Sequence, residues 1–122
     1  MSRIIRLAEM YHHPDSDTDD DAFTTTVAGA ALVIPVTHLY VAKTTGGAEA
    51  CTLADGKPGQ VLILNLTVQA GAVTLTPATM TGFATIVLTA AGDTCVLLYV
   101  DDTVGWVILG LYGAAATPVV SV

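Results

Sequence analysis

The residues best equipped for chemistry stand close together near the start of the chain: His12 and His13, then Asp15, Asp17, Asp19, Asp20 and Asp21. Imidazoles and carboxylates are common ligands for divalent cations, so the run raises the question of a metal. Set against the EF-hand calcium loop with Asp15 in first position, Asp17 and Asp19 fall correctly. Asp20, however, stands where the turn glycine is needed and Thr26 where the closing glutamate is needed. The run therefore reads as a solvated acidic linker whose like charges oppose compaction.

Other chemistry finds less support. His38 is the only histidine beyond the acidic run, and no serine or cysteine sits in a nucleophile elbow. Gly46-Gly47 and Gly56-Lys57-Pro58-Gly59 lack the spacing of a phosphate loop, and Lys57 reads as a turn residue. Asp101 and Asp102 are adjacent in a loop tip and would point apart, a poor acid–base pair. Cys51 and Cys95 match no metal or redox spacing and are expected to be two reduced, buried thiols. Tyr40, Tyr99, Trp106 and Tyr112 could stack on sugars, but their place inside apolar stretches points first to packing. Neither catalysis nor a cofactor or metal is expected.

Composition narrows the function classes. With 122 residues the chain has room for one domain with a modest core. A net charge of −7, with only Arg3, Arg6, Lys43 and Lys57 basic, argues against nucleic acid, which needs clustered cations. Apolar residues make up 52% and charged residues 12%, about half the ordinary charged share of roughly 25%. Between Pro58 and Val122 only Asp93, Asp101 and Asp102 are charged. Thr103 to Val122 is uncharged, yet Gly105, Gly110, Gly113, Thr117, Pro118 and Ser121 dilute it, so no membrane span is expected. Leu7 to His13 supplies no apolar core for a secretory signal, and folding in a cytoplasm is expected. A small domain buries about two thirds of its surface, so a monomer this apolar would leave many side chains wet. Association is the economical remedy.

The elements follow from alternation and turn residues. Residues 1–37 read as an N-terminal arm with its acidic linker, residues 38–112 as a β domain and residues 113–122 as an extended tail. Arg3 to Tyr11 has the makings of a turn or two of helix. Val27 to Val36 is small and apolar with Pro35 near its end, an edge strand or an arm lying on something else. Leu39 to Lys43, Ala50 to Leu53, Val61 to Val68, Ala72 to Thr76, Thr85 to Thr89, Thr94 to Val100 and Trp106 to Leu111 read as strands. Turn signals recur at intervals of roughly ten residues, as in a small antiparallel sandwich or barrel. In Val61 to Val68, Leu62, Leu64, Leu66 and Val68 share a dry face and Val61, Ile63, Asn65 and Thr67 a mixed one. In Thr94 to Val100 and Trp106 to Leu111 both faces are dry. That hairpin, through Val96, Leu98, Val100, Trp106 and Ile108, is the expected subunit interface; a central strand covered by the chain's own arm is the alternative.

Residues 53–109 also carry an ordered set of signals: Leu53-Ala54-Asp55-Gly56, Gly59-Gln60, Thr76-Pro77, Gly82, Thr85-Ile86-Val87-Leu88, Ala91-Gly92-Asp93, Leu97-Leu98-Tyr99 and Gly105-Trp106-Val107-Ile108. The set resembles a β-rich module of tailed-bacteriophage virion structural proteins, such as head decoration proteins, head fibres and tail proteins. The resemblance covers about half of the chain and implies a trimer without catalytic residues. The expectation is a decoration (cement) protein on the head exterior, bridging subunits of the major capsid protein. Arg3 and Arg6 would anchor the arm, and Val27, Leu32, Val33 and Ile34 would lie on the partner. The alternative is a tail or head-fibre module that binds a host surface glycan.

Overall fold

The structure, a computed structural model, describes residues 23–113 and 118–122. Arg3, Arg6, His12, His13 and the acidic run lie outside the described residues. Among the described residues there are ten strands: β1 (Thr24–Val27), β2 (Val33–Ile34), β3 (Tyr40–Thr44), β4 (Glu49–Leu53), β5 (Val61–Val68), β6 (Val73–Pro77), β7 (Thr85–Leu88), β8 (Thr94–Tyr99), β9 (Trp106–Tyr112) and β10 (Val119–Ser121). They form two open five-stranded sheets. The front sheet runs β1-β3-β5-β8-β9 and the back sheet β10-β7-β6-β4-β2.

The fold is all-β, as the alternation predicts, but its sheets are mixed rather than antiparallel. From β1 to β6 each strand passes to the opposite sheet, so neighbours within a sheet are two apart in sequence and run the same way. β1 pairs parallel to β3, β3 to β5, β2 to β4 and β4 to β6. The first half is thus a coil of three turns, each contributing one strand per sheet. The second half reverses: β7, β8, β9 and β10 all pair antiparallel. Alternation reveals which side chains share a face, not which strand lies alongside, so the parallel half was hidden.

Residues 24–34, expected in an arm, instead make the first turn of the coil. Val27 and Ile34 point into the core, 8% and 1% exposed. These strands are short and small-sided because they sit at the end of both sheets. The extended tail ends in β10, on the edge of the back sheet against β7.

Between the sheets lies one apolar seam. Val41, Leu62, Leu64, Leu66, Cys95, Leu97, Tyr99 and Trp106 from the front sheet meet Ile34, Cys51, Leu53, Val73, Leu75, Ile86 and Leu88 from the back sheet. Each large aliphatic side chain buried this way contributes on the order of 1.5–3 kcal/mol. Trp106 closes one end. Its backbone bonds Thr79 and Thr81, its indole Nε1 donates to the Ala54 carbonyl at 3.0 Å, and its ring meets Tyr99 edge-on at 5.3 Å. These contacts stitch the start of β9 to the segment following β6.

The β8–β9 hairpin turns through Asp101 to Gly105. Asp101 Oδ1 accepts from the backbone N–H of Thr103 and Val104, at 2.9 and 2.7 Å, and Gly105 N donates to the Asp101 carbonyl. Gly105 has a φ of 73° and packs so tightly on the Thr79 backbone that a Cβ would overlap it. Gly59, with a φ of 87°, faces open space. Gly59→Ala should therefore cost only the left-handed backbone term, about 1–2 kcal/mol in denaturant unfolding. Gly105→Ala adds the overlap and should lose considerably more, as the same unfolding curves would show.

Candidate functional site

Potentially reactive side chains are dispersed or neutralised. Among the described residues no three His, Cys, Asp or Glu side chains gather in a way that could hold a metal ion. His38 Nδ1 lies 2.9 Å from Thr37 Oγ1. Cys51 and Cys95 are free and buried. Burial pushes the Cys95 thiol up to about 12 and raises Cys51 as well, so neither offers a thiolate near neutrality. Asp102 accepts from Tyr99 Oη at 2.7 Å, and that bond to a carboxylate, with desolvation and the nearby charges of Asp102, Asp55 and Asp101, pushes the Tyr99 phenol up to about 12.

Of the buried polar groups, Gln60 and Lys43 stand in the two arrangements most like a site. Gln60 helps to line a cleft of about 430 Å³, together with Val36, Thr37, Asp55, Gly56, Lys57 and Pro58. Its amide donates to the Val36 carbonyl and accepts from Lys57 N. Both ends of the Gln60 amide are thus used by the fold itself. Gly56 is small because the Gln60 amide and the Trp106 ring occupy the space a side chain would take.

The second arrangement is an ion pair beneath the corner between β1 and β2. Lys43, on the inward parity of β3 and fully buried, donates to Glu49 Oε1 at 2.6 Å and to the carbonyls of Ala28 and Ala31 at 3.0 and 2.8 Å. Glu49 Oε2 accepts from the N–H groups of Ala30 and Gly46, both at 3.1 Å. The cation therefore has three oxygen partners, as a buried ammonium requires. Ala30 sits at a φ of 72°, a left-handed conformation that a non-glycine residue holds only when its surroundings impose it. Alternation alone missed this pair, although Lys43 sharing the parity of buried Val41 was the available signal.

The outward faces of the two sheets distribute their apolar residues differently. The back sheet presents Thr52, Thr74, Thr76, Thr85 and Ser121 among Val33, Ala50, Val87 and Val119, a surface rich in hydroxyls. The front sheet presents Tyr40, Ala42, Val61, Ile63, Val96, Leu98 and Val107, with Asn65 near its middle and Thr24, Thr26, Thr44, Thr67 and Thr94 on its β1 edge and at one end. No outward position on its five strands is charged. Asn65 donates to Tyr40 Oη at 3.0 Å, while its own Oδ1 is buried without a donor.

Of the expected interface residues, Val96 and Leu98 are outward and half-buried, and Val100 follows them at 36% exposure. Trp106 and Ile108 are not on this face. Strands paired side by side share a face, and Tyr99↔Trp106 and Leu97↔Ile108 place both side chains against the core. Val107, opposite Leu98, takes the outward position instead. A shift in register between Val96 and Leu97 leaves Leu109 out of the pairing and 56% exposed, beside the 60% exposed Tyr112, whose ring lies over Gly110. Among the arm residues, Leu32 and Val33 are exposed, whereas Val27 and Ile34 belong to the core.

No protein-family model matches the chain, and no curated protein matches it either. The arrangement of its surfaces is therefore the guide to what it does.

The Lys43–Glu49 pair gives a pH signature. Hydrogen bonds from Lys43, Ala30 and Gly46 hold the Glu49 carboxyl at about 2, down from 4.5. A lowered folded-state value means stability that is present above 4.5 and is lost as the pH falls from there toward 2. Denaturant midpoints measured across that window should drop, and the part of the drop due to Glu49 should vanish in Glu49→Gln.

Proposed function

We propose that this chain is a structural attachment protein that works as a homo-oligomer, joined through the outward face of its front sheet. The uncharged aliphatic cluster of Val61, Ile63, Val96, Leu98 and Val107, side by side on three neighbouring strands, carries this reading. A second copy suits it as occupant because neither surface brings a charge that the contact would have to desolvate. Each aliphatic side chain moved from partial exposure to full burial adds a fraction of the roughly 1.5–3 kcal/mol of complete burial.

Together with the resemblance of residues 53–109 to tailed-phage virion modules, the reading becomes a trimeric decoration protein on the head exterior, bridging subunits of the major capsid protein. A protein that binds only the assembled lattice stabilises it by mass action. Arg3 and Arg6 remain candidates for the capsid contact. The glycan-binding fibre reading has less behind it, because Tyr99 and Trp106, two of the four candidate rings, are fully buried, leaving Tyr40 and the exposed Tyr112.

Leu98→Glu places a charge on the outward face without touching the core. The variant should keep the β-sheet circular dichroism of the parent, run in size-exclusion chromatography with light scattering as a single chain, and fail to co-sediment with assembled virus heads. An unchanged oligomer with normal loading would refute the assignment of this face.

A further inference from the structure

We propose that the cleft between residues 36–37 and residues 55–60 binds a small zwitterion of dipeptide size, with its cationic end against Asp55 and its carboxylate against Lys57. The site is independent of the front-sheet contact, because it lies on loops between the sheets rather than on a strand face.

The coil makes the cleft. Residues 35–39 carry the chain from β2 in the back sheet to β3 in the front sheet, and residues 54–60 carry it from β4 to β5. β2 neighbours β4 and β3 neighbours β5, so the two crossings run side by side at the same end of the molecule. Between them lies the space of about 430 Å³. Small-molecule sites have volumes of roughly 300–1,000 Å³, so the space is large enough for a ligand.

Its walls are held in place by the fold. Gln60, 9% exposed, spans the two crossings: its side-chain amide donates to the Val36 carbonyl and accepts from Lys57 N at 3.0 Å. Gln60 N donates to the Lys57 carbonyl at 2.9 Å, and Gly59 N donates to the Tyr99 carbonyl at 2.8 Å. Trp106 Nε1 holds the Ala54 carbonyl at 3.0 Å, and its ring packs beside Gly56. A cleft fixed in this way loses little affinity to ordering when a ligand enters.

Charge selects the ligand. Asp55 and Lys57 line the cleft from one loop, and among the described residues neither side chain has an ion-pair or hydrogen-bond partner. Asp101 and Asp102 stand nearby, and the charges of all three carboxylates reach Tyr99 Oη. The Asp55 side therefore draws a cation. Lys57, the one exposed lysine or arginine among the described residues, draws an anion. A ligand with a single charge gains one attraction and meets one repulsion, whereas a zwitterion gains both. Asp55 and Lys57 are two residues apart, so their Cα atoms are separated by at most about 7 Å, close to the span between the two ends of an extended dipeptide. The flexible Lys57 stem adjusts the remaining distance. Val36 and Pro58 supply aliphatic lining for the part of the ligand between its charges.

The test uses the full chain, isotope-labelled for NMR, titrated with dialanine and with its two capped forms, N-acetyl-dialanine and dialanine amide. Dialanine should shift the amide signals of Thr37, Gly56 and Lys57 saturably, with a Kd in the millimolar range. Each capped form should bind about three- to fivefold more weakly, which is what one exposed ion pair contributes at its upper end. Asp55→Asn should abolish the advantage of the free amine, and Lys57→Gln that of the free carboxylate. Both positions are exposed, and the Gln60 bond uses only the Lys57 backbone. The capped series on the unaltered chain decides the matter even if a variant misfolds. Equal binding of free and capped dipeptide, or no saturable shift at these amides up to tens of millimolar, would overturn the proposal. Nuclear Overhauser contacts between residues 1–22 and the cleft in the ligand-free chain would overturn it too, by making the chain's own arm the occupant.

Discussion

The dry contact between the two sheets is the interaction on which every other feature depends. Leu62, Leu64 and Leu66 on β5 and Cys95, Leu97 and Tyr99 on β8 line its front wall, and Leu75, Ile86 and Leu88 its back wall, all with essentially no exposure. Because β5 and β8 occupy the middle of the front sheet, the antiparallel second half is joined to the parallel coil through the longest strand of the molecule. Trp106 and Tyr99 complete the seam at one end, with their polar atoms tied to Ala54 and Asp102. Two large rings can be buried there because each retains its hydrogen bond.

Polar groups inside this molecule serve the corners. Lys43 and Glu49 bind the backbone of the β1–β2 corner, and Gln60 bridges Val36 and Lys57. Thr45 joins Ala70 and Gly71 through its hydroxyl. Asp93 caps the turn after β7, accepting from the N–H groups of Thr89 and Ala90, while its other oxygen stays buried without a donor. In each case a buried side chain satisfies backbone groups that a strand-to-strand crossing takes out of the ladders. A coil that changes sheet at every strand has many such crossings, which explains why so few charges and amides are spent elsewhere.

How much of this was legible in the sequence depended on what alternation can encode. The core strands Val61–Val68, Thr94–Tyr99 and Trp106–Tyr112 were readable because Leu62, Leu64 and Leu66 or Cys95, Leu97 and Tyr99 recur at every second position. Which face of β9 turns inward was not readable, since Trp106 and Ile108 alternate with equally apolar Val107 and Leu109. Only the pairing of Tyr99 with Trp106 decides it. The parallel order was invisible for the same reason, and the first turn of the coil was hidden in two short strands of small residues. The Lys43–Glu49 pair depends on carbonyls from a corner whose shape appears only once β1 and β2 are placed. The outward surface, by contrast, followed from a composition poor in charge, although its members had to be sorted by the structure.

What remains is the difference between the outer surfaces. The back sheet scatters hydroxyls among its apolar residues, while the front sheet gathers Val61, Ile63, Val96, Leu98 and Val107 into one contiguous patch and leaves its threonines on the β1 edge and at one end. A surface of that kind on a 12.5 kDa chain is explained if sister chains cover it. Sedimentation equilibrium of the unaltered chain at micromolar concentration tests this most directly. A single species whose mass is a small multiple of one chain, three by the present account, is the predicted result; a well-folded particle with the mass of one chain across the whole concentration range would contradict it.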